Sequence, residues 1–415
     1  MKIKLFAVAG FFVLLIVSSL FLTQPQTDIA IMSGSDFYFG IDAAYGDPEA
    51  IKVLIDDVSA YTNLFIVGCT AISLNQTLLE EICQYLYERD MSFIIYQDSP
   101  LGMYDNGHLI PRQTRPLNTS NPSTPTLFPN QTRQPSNYTI PFNMNLVSNW
   151  TQTAKNRWGN NFLGFYYIDE VAGRQLDLVE DWIVVNKATD YAEATSKFIR
   201  SVGGSVTWYR NGYNDWTNVS LFTSDYALYH FDYKVGYDVV FAQLGWNYSR
   251  QLNLALCRGA ATTQGKEWGA IVTWEYTEPP YIQSASKLFN DLVLAYENGA
   301  KYVVVFDSNK QYTQTILTKE HLDAMKQFWQ YTKDHPRNPP PISERTAFVL
   351  PPDYAYGFRG PDDKIWGLWQ ADELSMDLSV NLASKMIEYG EKLDIVYDQP
   401  HVGEFGYMNL IYWYS

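Results

Sequence analysis

"FYFGIDAAYGDPEAIKVLIDDVSAYTNLFIVGCT" (residues 37–70) reads as strand, helix, strand. The first ten residues form a short apolar, aromatic-rich run of strand composition. Asp47 then stands as an N-cap with Pro48 at the first helical position, and apolar residues at helical spacing follow as far as Val58. "NLFIVGCT" returns to strand character, so the stretch is one β/α step followed by the start of the next.

The same alternation continues along the chain. "NQTLLEEICQYLYERD" (75–90) is helical and "MSFIIYQDSP" (91–100) supplies a third strand. After a long loop and the helical "FNMNLVSNWTQTAKNRWGN" (142–160), "FLGFYYIDE" (162–170) is the fourth. "DYALYHFDY" (225–233) and "YDVVFAQLGW" (237–246) read as the fifth and sixth strands, although "VTWYRNGYNDW" (206–216) also has strand composition. "EWGAIVTWE" (267–275) is the seventh, and "KYVVVFDSN" (301–309) the eighth. Strands alternating with helices in this way predict a (β/α)8 TIM barrel over 34–335, with a small C-terminal α/β domain. Residues 99–141, rich in Pro, Thr, Asn and Ser, are an exposed loop; 336–345 is a Pro-rich linker; 346–415 carries a β-α-β-β pattern packed on the barrel.

Composition limits the partners. A net charge of −15 argues against nucleic acid, which needs a basic face. Large aromatics mostly fill cores, but 31 Tyr and 12 Trp also suit a cleft that stacks hydroxyl-rich ligands such as sugars. At the N-terminus, Lys2 and Lys4 precede an uncharged run from Leu5 to Leu22, so residues 1–26 read as a signal peptide or a membrane anchor. Sequons at Asn75, Asn118, Asn130, Asn137, Asn149, Asn218 and Asn247 agree with an extracellular or cell-surface location. Cys69, Cys83 and Cys257 are odd in number and lack metal spacing, which makes them buried thiols. The five His show no H-x-x-x-H or H-x-H pattern, so neither metal nor cofactor is expected.

Barrel enzymes place chemistry at the C-terminal ends of the strands. Those ends carry Asp42, Asp98, Asp169 and Glu170, His230 and Asp232, Gln243 and Trp246, Glu275, and Asp307. Asp307 before Ser308-Asn309 reads equally well as a loop cap, and Asp232 as a partner for Lys234. Carboxylates flanked by aromatics suit glycoside hydrolysis, in which one group protonates the leaving oxygen while another attacks the anomeric carbon or activates water.

"YYIDE" at the fourth strand end and "TWE" at the seventh resemble the large clan of retaining (β/α)8 glycosidases. The resemblance implies Glu170 as acid/base and Glu275 as nucleophile, with carbohydrate as substrate. The clan has Asn before its acid/base, where this chain has Asp169. "WEYTEPPYI" is also similar to the strand-end loop of endo-α-mannosidase-like barrels, which would pair Glu275 with Glu278; the Asn and His of that motif are absent. Tyr167, His230, Trp246, Trp274 and Tyr276 are the expected sugar-binding residues, together with Asp42, Asp98 and Asp169. A barrel that binds glycans without cleaving them, or serves in the cell envelope, is the alternative.

Overall fold

The computed structural model describes residues 37–73, 75–97, 104–105, 108–109, 144–179, 183–211 and 219–414. The N-terminal segment 1–26, most of the 99–141 loop and Asp98 lie outside them. Strand β1 (Tyr38–Ala43) leads into α1 (Pro48–Val58) through the expected cap: Asp47 Oδ1 accepts from the N–H groups of Glu49 and Ala50 at 3.0 and 3.3 Å. Then follow β2 (Leu64–Val67), α2 (Gln76–Tyr87), β3 (Ser92–Gln97), α3 (Met144–Trp158), β4 (Phe162–Tyr167) and the short α4 (Val171–Leu176). The second half runs α5 (Tyr191–Asn211), β5 (Ser220–Asp225), α6 (Tyr229–Lys234), β6 (Val239–Leu244) and α7 (Arg250–Gln264). It ends with β7 (Glu267–Val272), α8 (Ala285–Glu297), β8 (Tyr302–Asp307) and α9 (Lys319–Asp334).

The eight strands close into one parallel barrel in sequential order, β1 pairing with both β2 and β8. Alternate residues divide between two cores. Tyr38, Ile66, Ile94, Tyr166, Phe222, Phe241 and Tyr302 fill the interior, with Tyr38 and Tyr302 stacked at 5.0 Å where β1 and β8 begin. The lumen is therefore a packed core, and chemistry is left to the rim where the strands end. Their neighbours on the strands face the helices and bury there with the apolar sides of α1, α2, α7 and α8.

One strand lies elsewhere than its sequence suggests. The fifth is Ser220–Asp225, and most of "DYALYHFDY" beyond Asp225 is the short helix α6. Residues 229–233 of α6 are all buried, so no polar face betrays a helical period, and composition alone mimics a strand. Val206–Asn211, the other strand-like stretch, belongs to α5.

Beyond residue 345, β9 (Thr346–Leu350), β10 (Leu393–Tyr397) and β11 (Asn409–Tyr412) form a parallel three-stranded sheet in the order β10-β9-β11, with α10 (Glu373–Tyr389) between β9 and β10 in the chain. This C-terminal layer packs on α7. A side chain at Gly259 would put its Cβ 2.2 Å from the Ile395 carbonyl oxygen, so glycine lets the helix and strand backbones meet. Beside it Asp394, fully buried, accepts from Arg258 Nε at 2.6 Å, Arg345 Nη1 at 2.7 Å and the Tyr407 hydroxyl at 2.8 Å. Cys69, Cys83 and Cys257 are buried free thiols. Among the described residues no helix is long and apolar enough to cross a membrane.

Candidate active site

The chain turns sharply between β4 and α4. Ile168 (φ 50°) and Glu170 (φ 57°) both adopt the left-handed conformation, which costs about 1–3 kcal/mol per non-glycine residue and more for a β-branched one. Neighbouring bonds from β5 hold the turn: the Thr223 hydroxyl donates to the Ile168 carbonyl at 2.6 Å, and Glu170 N–H donates to Ser224 O at 2.9 Å. The Asp225 carboxylate accepts from the Ala172 and Gly173 N–H groups at the start of α4. A strained turn fixed from several sides sets Asp169 and Glu170 in a single geometry at the barrel mouth.

Asp169 Oδ1 accepts from the Tyr166 hydroxyl at 2.6 Å and the Ser224 hydroxyl at 2.7 Å. Glu170 Oε1 accepts from Gln243 Nε2 at 2.9 Å, and its Oε2 from Arg174 Nε at 3.2 Å. Arg174 Nη2 also lies 3.8 Å from Asp169 Oδ2. Burial, then the repulsion of Asp169, push the Glu170 carboxyl up to about 7, against the pull of Arg174 and Gln243. A carboxyl that titrates near neutrality can both give and take a proton.

Asp42, at the end of β1, is buried, and its Oδ1 has no hydrogen-bond partner among the described residues. Burial, then the charges of Asp169 and Asp307, raise its proton affinity well above the usual carboxylate value. Trp274 donates its indole N–H to Ser308 O at 2.9 Å and packs its ring against Phe306 at 5.8 Å and Tyr312 at 6.5 Å. Tyr312 is 40% exposed, and desolvation, then the charges of Asp169 and Glu170, push its hydroxyl up to about 12. The mouth thus joins two adjacent carboxylates, a guanidinium, a third, buried carboxyl and an aromatic wall.

Other expected site residues go elsewhere. Both oxygens of Glu275 are engaged, Oε2 with Arg250 Nη2 at 2.5 Å and Oε1 with Lys287 Nζ at 2.6 Å. Arg250 also donates to the carbonyls of Gly245, Trp246 and Tyr248, so Glu275 staples the loops after β6 and β7. Glu278 is largely exposed, with Lys310 Nζ at 3.2 Å. With Trp246, Tyr276, Thr277, Pro279 and Pro280, these two glutamates line an open hollow of about 450 Å3.

Tyr167 points outward: it is buried under α5, stacked on Tyr209 at 3.8 Å, and Tyr166 is the inward residue. His230 sits on α6 instead of a strand end. It is buried against Tyr397 of the C-terminal layer at 4.5 Å, and burial pulls its imidazole down to about 3. Asp232 is fully buried on the same helix, away from any partner role with Lys234. Asp307 takes the cap role, accepting from the Thr315 hydroxyl and Ile316 N–H at 2.9 and 2.8 Å. Three contributors were not foreseen: Arg174, Ser224 and Tyr312. Arg174 has a legible signal, the i,i+4 spacing from Glu170 at a helix start. Among the described residues no group of three or more His, Cys, Asp or Glu side chains is placed to hold a metal ion.

No family model matches the sequence, and no curated protein matches it. Among solved structures the chain is similar to a β-galactosidase from the psychrophilic Marinomonas ef1, with a TM-score of 0.51 at 11% identity over 91% of this chain and 72% of that one. It is similar also to the β-galactosidase of the Antarctic haloarchaeon Halorubrum lacusprofundi, with a TM-score of 0.50 at 9% identity over 91% and 69%. Residues 1–335 alone cannot reach that coverage, so the likeness takes in the C-terminal layer. The chain has a (β/α)8 fold of the kind found in glycoside hydrolases.

Proposed function

We propose that the protein is an exported glycoside hydrolase that cleaves a bond in an oligo- or polysaccharide, with Glu170 as acid/base and Asp169 as the second carboxylate. One observation carries this reading: a carboxyl lifted to about 7 on a strained turn at a barrel mouth, with another carboxylate beside it. Perturbed groups held in such a place are a mark of function. The aromatic wall of Trp274, Phe306 and Tyr312 supplies the stacking surface a sugar ring needs. Glu275 is a positioning residue here, since two cations already occupy its oxygens.

The test is a panel of aryl glycosides and oligosaccharides across pH 4–9. We expect hydrolysis of at least one, with the rate falling about tenfold per unit above about pH 7 as Glu170 loses its proton. Binding without turnover across the panel would establish instead a glycan-binding barrel, the reading that the double pairing of Glu275 favours. Export rests on residues 1–26 and the sequons. Protease added to intact cells should degrade the protein, and full protection would exclude a surface location.

A further inference from the structure

We propose that Arg359, a residue of the C-terminal layer, is a positioning residue for Glu170 and acts along the helix α4. The inference rests on the hydrolase reading above and brings into it a part of the chain outside the barrel. Helix α4 has six residues, about 9 Å at 1.5 Å per residue, with Glu170 at its N-cap and Asp177 at its C-cap. Arg174, the cation that meets Glu170, sits on the same helix. Whatever fixes Asp177 therefore also fixes how Glu170 and Arg174 stand at the barrel mouth.

Asp177 is fixed from the C-terminal layer, by the segment that joins β9 to α10. Arg359 Nη1 donates to Asp177 Oδ2 at 3.0 Å, and its Nη2 lies 2.7 Å from Oδ1. Such a two-pronged contact sets direction as well as distance. Asp363 aims the guanidinium, accepting from Nε at 2.8 Å and from Nη2 at 2.7 Å. The Tyr226 hydroxyl also donates to Asp177 Oδ2, at 2.7 Å, and the Tyr226 ring centre lies 5.5 Å from the guanidinium carbon. Tyr226 follows Asp225, whose carboxylate accepts from the Ala172 and Gly173 N–H groups at the other end of α4. Both ends of the helix are thus held, one from β5 and one from the layer.

Contacts along the helix agree. Gln175, fully buried, donates from Nε2 to Trp366 O at 3.1 Å. A side chain at Gly367 would bring its Cβ within 2.6 Å of the Gln175 and Leu176 carbonyl oxygens, and one at Gly357 would meet Leu176 Cδ2 at 2.5 Å. Gly357, Arg359, Trp366 and Gly367 all close on α4 and its C-cap, although the layer is already fastened to α7 by the Asp394 cluster. Among these four, Arg359 alone makes a charged, directed contact, so it is the residue to change.

The experiment compares Arg359→Met with Asp394→Ala, which loosens the layer at α7 instead. Two quantities are read in each: kcat and KM on a glycoside that the parent turns over, and the titration midpoint of the Glu170 carboxyl. The midpoint is followed by carbon-13 NMR, on the resonance that is absent from Glu170→Gln. In Arg359→Met we expect kcat to fall about tenfold or more with KM within about twofold, since a misplacement of about 1 Å can cost about a hundredfold in rate. The midpoint should fall from about 7 towards 4.5, because burial is the largest contribution to its height and Arg174 moves with the helix. Arg359→Lys, which keeps the charge without the fork, should lie between parent and Met variant. Asp394→Ala should leave both quantities, per folded molecule, as in the parent. If Arg359→Met does not fold, Asp177→Asn carries the test in the same direction, since Asp363 still pairs the guanidinium. An unchanged kcat and midpoint in these folded variants would overturn the inference and leave the hydrolase reading standing. Turnover of no glycoside by the parent would remove the hydrolase reading, and the midpoint would still decide whether Arg359 positions Glu170.

Discussion

Glu170→Gln is expected to lower kcat by about 10²–10⁴-fold while the protein stays folded. Gln has the shape of Glu and can still accept at Oε1 from Gln243, but it has no proton to give to a leaving oxygen. Its amide replaces the acceptor that faces Arg174, a local loss. Against that, the substitution removes a charge that burial and Asp169 disfavour, so the two changes offset and melting should move little. The pH profile adds a sharper readout. Because the folded-state proton affinity is raised from 4.5 to about 7, the protonated acid persists up to that pH and is lost above it. By linkage, the stability this protonation contributes is full below about 4.5 and lost as the pH rises through 7. Both limbs should vanish in the variant. Substrates with activated leaving groups, which need no proton, should lose much less rate than oligosaccharides. A variant within about twofold of the parent on unactivated substrates would remove Glu170 from the chemistry.

How far the sequence could be read depended on whether a residue's partner is local. Asp47 and Pro48 start α1 as read because a cap is made with the next three residues. The strand ends at Asp169 and Glu170 were legible for the same reason, as apolar runs stopping at charges. The fifth strand is not legible because α6 is buried against both the barrel and the C-terminal layer, which erases its period. Two aromatics in succession leave strand parity undetermined in the sequence, and the β3–β4 register, with its irregularity at Phe93/Ile94, turns Tyr166 inward and Tyr167 outward. Glu275 illustrates the harder limit. Its neighbours Arg250 and Lys287 lie 25 and 12 residues away on two different helices, and nothing local to "TWE" announces them. Ends of strands can be listed from sequence, but which acids remain open to a ligand depends on cations brought in by the tertiary fold.

Asp394→Ala is expected to be the most destabilising single substitution of a charged residue in the C-terminal layer, at about 3–5 kcal/mol. The carboxylate is fully buried between α7, which belongs to the barrel, and β9 and β10, and it accepts from two guanidiniums and a phenol. Removing it leaves the Arg258 cation in a dry site. That guanidinium keeps its bonds to the carbonyls of Asn298, Glu391 and Leu393, but these carry no net charge to balance it. Such a loss is a large share of the roughly 5–15 kcal/mol by which domains are stable. Because breaking a buried pair is worse than replacing it whole, Asp394→Leu combined with Arg258→Met should recover part of the loss, a coupling that a simple cavity would not produce. Urea unfolding of the parent, Asp394→Ala, the single variants Asp394→Leu and Arg258→Met, and the double variant measures it: a change below about 1 kcal/mol for Asp394→Ala, or strict additivity in the double variant, would mean that the cluster does not hold the layer to the barrel. Turnover per folded molecule should be unchanged, since Asp394 contacts none of the residues at the Asp169–Glu170 turn.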